Sequence, residues 1–237
     1  MKKCTLAVVF IFAAVAHADP TFYVSPNPYP GSSSTLDLDW QSAVGGTFAE
    51  EDFENYSNGK IDGVTMAGIL VDISTGTGSK GEIFKGSWGG AANGSFSGTV
   101  YGMALLNRDE NNVIKGDLTF SFSTPIAGFG AWVYDNAQSS AQSFQMVVTE
   151  VGGGSFTSDV LESGNGNPHF VEGWLAATSG LGITDVSYRV LDSTTSTPVD
   201  IAFELDHIQL APVPVPGALL LGVLGLAAVG LKLRKYA

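Results

Sequence analysis

The chain has 237 residues, 44% of them hydrophobic and only 14% charged, with 30 glycines, a balance that suits a β-rich exported protein better than a helical cytosolic one. Five of the 11 basic residues lie at the two ends, so the stretch from Asp19 to Asp206 holds six cations against all 23 acidic residues, a charge of about −17 that disfavours nucleic acid and anionic lipid headgroups as partners. The single cysteine, Cys4, precedes the first apolar run, which excludes disulfides, thiolate zinc and a cysteine nucleophile from the exported part.

Residues 1–18 have the three zones of a secretory signal peptide. Lys2 and Lys3 open it, Leu6 to Ala16 is a short apolar run, and Ala16-His17-Ala18 is a small-x-small cleavage site before Asp19-Pro20. Signal peptidase is therefore an expected partner, reading Ala16 and Ala18. Residues 19–46 follow as an irregular arm. Pro20, Pro26, Pro28 and Pro30 precede Gly31-Ser32-Ser33-Ser34, a composition that favours loop or extended chain. Trp40 is the expected anchor of this arm in the core.

Residues 47–211 form the expected domain, built of short β runs broken by Gly, Asn and Asp. Leu118 to Phe122 alternates apolar and polar with period two. Ile126 to Tyr134 is apolar on both faces, as a central strand is. Phe144 to Val151, Val186 to Leu191 and Ile201 to Leu210 are further expected strands. Breaks fall at Gly152-Gly153-Gly154, at Asn165 to Pro168 and at Ser193 to Pro198. Many short strands separated by turn signals define an all-β, β-sandwich or jelly-roll-like domain.

Few residues of this domain point to chemistry. Gly76 to Gly81 spells GxGxxG, but a nucleotide loop needs a helix after it, and Glu82 to Gly90 is a poor helix. A flexible loop is the expectation. His169 and His207 have no metal-ligand spacing, and no GxSxG elbow is present, so no catalytic residue is assigned. Trp88, Trp132, Trp174 and Tyr101 have flat faces suited to sugar rings; Trp132 is expected in the core and Trp88, in its Gly-rich setting, exposed. Glu50, Glu51, Asp52 and Glu54 make an acidic cluster ahead of the first firm strand.

The C-terminal segment, residues 212–237, opens with Pro212-Val213-Pro214-Val215-Pro216, which stays extended. An uncharged run, taken as a transmembrane helix over 217–231, leads to Lys232, Arg234 and Lys235. Counted from Val215 the apolar stretch is 17 residues, about 26 Å as a helix and near the short limit for a span of roughly 30 Å. The basic end stays cytoplasmic and the domain outside, in agreement with the N-terminal signal. A plain membrane anchor accounts for the length alone.

Val213, Pro214, Val215, Pro216, Gly217 and Ala218, with the short Gly/Ala/Leu helix and basic tail, resemble the VPxPxA variant of the PEP-CTERM sorting signal of Gram-negative bacteria. Val215 stands where Glu is commonest in that family. The resemblance covers Val213 to Ala237. It implies recognition by an exosortase, passage through the inner membrane as a sorting intermediate, removal of the helix, and delivery to the cell surface or an extracellular polysaccharide matrix.

The domain also resembles jelly-roll modules of carbohydrate-binding type. The matching pieces are Phe53-Glu54 with Gly63-Val64-Thr65, then Phe120 to Ile126 with Gly128-Phe129, and Glu204 to Ile208. In such modules a structural calcium joins an early Glu to an Asp of the last strand, and the matching positions here are Glu54 and Asp206. The expected function is that of a non-enzymatic surface or matrix protein associated with extracellular polysaccharide. An exported polysaccharide hydrolase and a purely structural matrix component stand as alternatives.

Overall fold

The computed structural model describes residues 19–25, 36–76, 80–85, 103–109, 111–135, 142–162, 171–192 and 194–214. In chain order the elements are β1 (Thr21–Ser25), α1 (Leu36–Ala43), β2 (Ala49–Glu51), β3 (Gly59–Ile61), β4 (Gly63–Met66), β5 (Ile69–Ser74) and β6 (Gly81–Lys85). They continue as β7 (Met103–Leu106), β8 (Asp117–Asp135), β9 (Gln142–Glu150), β10 (Ser155–Thr157), β11 (Leu161–Glu162), β12 (Val171–Asp192) and β13 (Glu204–Pro212).

Among the described residues these strands join in one antiparallel hydrogen-bonded network, which two long strands divide into the layers of a β-sandwich. β8 has 19 residues and β12 has 22. Asp117 to Ser121 of β8 lies against Asp185 to Arg189 of β12, and Gly128 to Asp135 lies against Val171 to Thr178. The pairing slips between Thr178 and Asp185, where Pro125, with no N–H to give, sits opposite the irregularity. Gly182 there has a φ of +94°, open to glycine at little cost. The bend is tied by the Ser179 hydroxyl, which donates to the buried Glu150 carboxylate and accepts from the N–H groups of Leu181 and Gly182 at 3.0 and 3.1 Å.

Beyond the bend each half of the long pair gains its own neighbours. The first layer is β4, β5, the start of β8, the end of β12 and β9, with β10 and β11 both on β9. The second is β1, the start of β12, the end of β8 and β13. β13 then pairs with both β2 and β7, and β6 and β3 follow β7. The inner faces pack together. Phe120 and Phe129, from opposite halves of β8, have centroids 4.9 Å apart, and Tyr188 crosses Phe120 edge-on at 6.1 Å. Phe144 meets Phe203 at 5.3 Å. The buried Tyr188 hydroxyl donates to the Leu175 carbonyl at 2.9 Å, which satisfies a polar atom that is costly to bury alone.

The all-β sandwich expected from the strand pattern is the observed architecture. The arm 19–46 departs from its expected irregularity. Thr21 to Ser25, rich in β-branched and aromatic residues, pairs with β12 from Thr178 to Trp174. Residues 36–43 form a helix whose Trp40 is fully buried, though in a second hydrophobic cluster and not in the sandwich core where it was expected. Gly81 at the end of the GxGxxG sequence opens strand β6, where a nucleotide loop would need a helix; Thr77 to Ser79 lie outside the described residues. Among the described residues no helix is long and apolar enough to cross a membrane. The transmembrane helix 217–231, the signal residues Ala16 and Ala18, Trp88, Tyr101, His169, and Val215 to Ala218 of the sorting motif lie outside the described residues.

Candidate functional site

Side chains alternate across a strand, so one face of the second layer turns inward and the other outward. On β13, Leu205, Ile208 and Leu210 enter the sandwich core. The change of parity between Leu205 and Ile208 comes from a bulge. Asp206 pairs with Trp132 and Gln209 with Gly130, so three steps on β13 oppose two on β8. His207, at the bulge, has a φ of +46°, a conformation that costs energy outside glycine. The bulge keeps Glu204, Asp206, Gln209 and Ala211 together on the outer face.

That face carries a second hydrophobic cluster, separate from the core: Trp40, Trp132, Trp174, Ala176 and Ala211, with Tyr23, Val44 and Phe48 at its margin. Trp132 and Trp174 are register partners on β8 and β12, with ring centroids 5.5 Å apart. Trp40 descends from α1 and meets Trp174 edge-on at 5.9 Å. Its indole N–H donates to the Ala177 carbonyl at 3.0 Å. Beneath the rings, β8 has Gly128 and Gly130, the two positions before Trp132 on the same face. A Cβ on Gly130 would stand 2.4 Å from Trp174 Cζ2, so the bare backbone is what admits the ring. The Trp174 indole N–H is buried with no acceptor. Trp132 is thus buried as expected, but under α1 and not in the sandwich core.

Polar groups lie beside the aromatic ones. Asp206 is fully buried. Its Oδ1 accepts from the His207 backbone N–H at 2.7 Å, and its Oδ2 has no hydrogen-bond partner. Burial pushes this carboxyl up to about 8. His207 opposes the shift, while the charges of Glu54 and Asp52 add to it. Burial likewise raises Glu204, two residues back on the same face, to about 7. Glu50, on β2, is held below its usual range chiefly by the hydrogen bond with His207, whose Nδ1 lies 2.5 Å from Glu50 Oε1. Gln209 donates to Glu50 Oε2 at 3.1 Å and accepts from Gln41 of α1 at 3.2 Å. A polar chain therefore runs from the bulge to the helix.

Of the two residues named for calcium, Asp206 lies buried on β13 and Glu54 follows β2, where its charge adds to the upward shift of the Asp206 carboxyl. Among the described residues no group of three or more His, Cys, Asp or Glu is gathered closely enough to hold a metal ion. His207 serves the bulge and Glu50, an edge role in keeping with its lack of ligand spacing. Gln41, Gln209 and Gly130 were not singled out in the sequence, and Gly128 was noted there only as part of a resemblance. The alternation Gly128-x-Gly130-x-Trp132 was the available signal, since a strand face of glycines invites a second layer.

No protein-family model matches the chain, and no curated protein matches it. Solved structures of similar fold include the C-terminal family 22 carbohydrate binding module of Clostridium thermocellum Xyn10B. It is 12% identical over 70% of this chain and 93% of that one, with a TM-score of 0.35. A xylan-binding domain from CBM 22 is 12% identical over 70% and 94%, with a TM-score of 0.32. The CBM22-1 xylan-binding domain from Paenibacillus barcinonensis Xyn10C is 14% identical over 70% and 94%, with a TM-score of 0.26. The overall likeness is loose.

Proposed function

We propose that this chain is an exported, non-enzymatic β-sandwich that associates with extracellular polysaccharide through the outer face of its second layer. The observation that carries the proposal is the row Asp206–Trp132–Trp174, in register across β13, β8 and β12. Aromatic faces suit the apolar faces of sugar rings, and an unpaired carboxyl oxygen and an unpaired indole N–H beside them suit hydroxyl groups. Glu204 and Asp206 sit on one strand with raised pKa values. Glycoside hydrolysis uses a protonated and an ionised carboxyl on opposite sides of the bond, an arrangement this pair does not make.

Delivery belongs to the same proposal. Signal peptidase removes residues 1–18, the C-terminal signal passes the chain to an exosortase at the inner membrane, and the product reaches the cell surface or matrix. Supporting this, β13 ends at Pro212 and the motif begins at once, with Val213 and Pro214 exposed. A calcium ion would be held by Asp206 and Glu54. It takes six to eight oxygens, so backbone carbonyls and water would supply the rest, and the ion would replace the proton that Asp206 otherwise carries. The test of function is a glycan array with the full chain in detergent micelles, wild type and Trp174→Ala. Retention of the wild type on one or more polysaccharides, reduced in the variant, is expected. No retention on any glycan overturns the proposal.

A further inference from the structure

Resting on that polysaccharide reading of the outer face, we infer that α1 is a strap that closes the face in the free protein and swings away when a sugar chain binds. Three observations converge on it. The first is how the helix is held. It has eight residues, too few to be stable alone, and Leu38 points outward, 56% exposed. Its grip on the sheet is the stripe Trp40 and Val44, one helical turn apart, with the hydrogen bonds from Trp40 to Ala177 and from Gln41 to Gln209.

The second is the hinge. Gly46 N–H donates to the Gln41 carbonyl at 2.7 Å and Gly45 N–H to that of Ser42 at 3.0 Å, the double closure of a glycine-terminated helix. Gly45 and Gly46 have φ values of +76° and +69°, and a Cβ on either would meet nothing within 4 Å. Two consecutive glycines in open space are free to change conformation together, so the helix can turn about them without disturbing β2.

The third is what the helix covers. Trp174 is fully buried beneath Trp40, and its indole N–H has no acceptor. Buried donors are nearly always paired, so the closed arrangement leaves unused a group that an arriving hydroxyl would take up. Trp40 and Val44 lie over Gly128, and Trp174 lies over Gly130, so what Trp40 covers is the ring of Trp174, with Phe48 on its other edge, an aromatic surface that suits a pyranose as well as an indole. In the free protein Trp40 stands where the sugar stacks.

The test locks the strap. Val44 Cγ1 lies 2.9 Å from the place a Cβ would take at Gly128, so Val44→Cys with Gly128→Cys sets two thiols at disulfide range. The other cysteine, Cys4, belongs to the signal. The full chain in detergent micelles is compared oxidised and reduced, by sedimentation with insoluble xylan, cellulose and chitin and by hydrogen exchange of the Trp174 indole. Oxidation should weaken retention at least tenfold and slow the indole exchange. In the wild type that exchange should run at least a hundredfold faster than the Val186 amide of the core. Trp40→Ala, which needs no new side chain over Gly128, should tighten retention and speed the exchange. Equal retention by oxidised and reduced forms, or a Trp174 indole that exchanges only with the core, overturns the strap. Indole exchange slowed by the lock with no retention of any form supports the moving helix and removes the polysaccharide reading.

Discussion

Placing a single methyl on Gly130 tests the packing on which the outer face depends. The added Cβ would lie 2.4 Å from Trp174 Cζ2, 2.8 Å from its Cη2 and 2.6 Å from Ala176 Cβ. The ring has nowhere to retreat, because Trp174 is fully buried between Trp40 and Trp132, and Ala176 Cβ is fixed to the backbone of β12. Overpacking of this kind costs about 1–3 kcal/mol, and two rigid obstacles put Gly130→Ala at the upper end. With a urea slope of about 2 kcal/mol/M, the unfolding midpoint falls by roughly 1 M or more at unchanged slope. Gly180→Ala is the control: it lies in β12, the strand paired with β8, and its Cβ meets nothing within 4 Å. Restricting the unfolded chain there should stabilise by about 0.4–1 kcal/mol. Intrinsic tryptophan fluorescence during urea titration reads both. In a Trp174→Leu background the cost of Gly130→Ala should largely vanish, since the two sites are coupled through one ring. If Gly130→Ala unfolds at the wild-type midpoint, or costs the same without the Trp174 indole, the ring does not rest on that strand as described.

Three further outcomes are expected. Asp206 titrates near 3.8 when unfolded and about 8 when folded, so the folded state keeps a proton that the unfolded state has lost. In the presence of chelator, stability should then fall as pH rises from about 4 to about 8 and level off above that, with Asp206→Asn removing most of the slope and Glu204 supplying the remainder; stability that rises through this window contradicts the buried carboxyl. At pH 8, calcium bound only by the folded state should raise the melting temperature and chelation lower it, with no difference left in Asp206→Ala; superimposed melting curves for the wild type reject the ion. In a host with an exosortase, mass spectrometry should find the mature chain ending near Pro216, and Pro214→Ala with Pro216→Ala should leave it uncut; a surface protein that retains Leu219 to Ala237 makes the segment a permanent anchor.

How far the fold is legible depends on what covers each face of a strand. Leu118 to Phe122 alternates because one side meets the core and the other is open, and the pattern marks the strand. Phe144 to Val151 matches β9 for the same reason. Ile126 to Tyr134 is also marked, but Pro125 makes two strands of what is one. In the fold that proline sits at the bend where β8 changes layers, and a local pattern cannot distinguish a bend from an end. The first half of β12 carries no alternation at all. Leu175 and Ala177 face the sandwich core, while Trp174 and Ala176 face the cluster under α1. Burial on both sides removes the period-two signal that identifies Val186 to Leu191. The last strand starts at Glu204 and not at Ile201, because Asn107 captures the backbone there: its side chain donates to the Ile201 carbonyl at 2.7 Å and accepts from the Phe203 N–H at 2.9 Å.

The candidate site is less legible than the fold, and the bulge at His207 shows why. Glu54 and Asp206 were named from their places in a resemblance, and of the two it is Asp206 whose burial the fold makes plain. Nothing local to Leu205-Asp206-His207-Ile208 announces that an extra residue is accommodated there. Simple alternation would set Ile208 on the face of Asp206 and Gln209 in the core. The hydrophobic demand of Leu205, Ile208 and Leu210 decides the matter: all three reach the core only if the strand takes one irregular step. That step turns the Asp206 carboxyl onto its own next N–H and swings His207 toward Glu50. The tryptophans obey the same logic at longer range. Trp40, Trp132 and Trp174 meet because β8 and β12 pair in a register set by their core-facing residues, and because two glycines leave room. The chemistry of the outer face is thus a by-product of how the inner face packs, which is why it becomes visible only once both layers are in place.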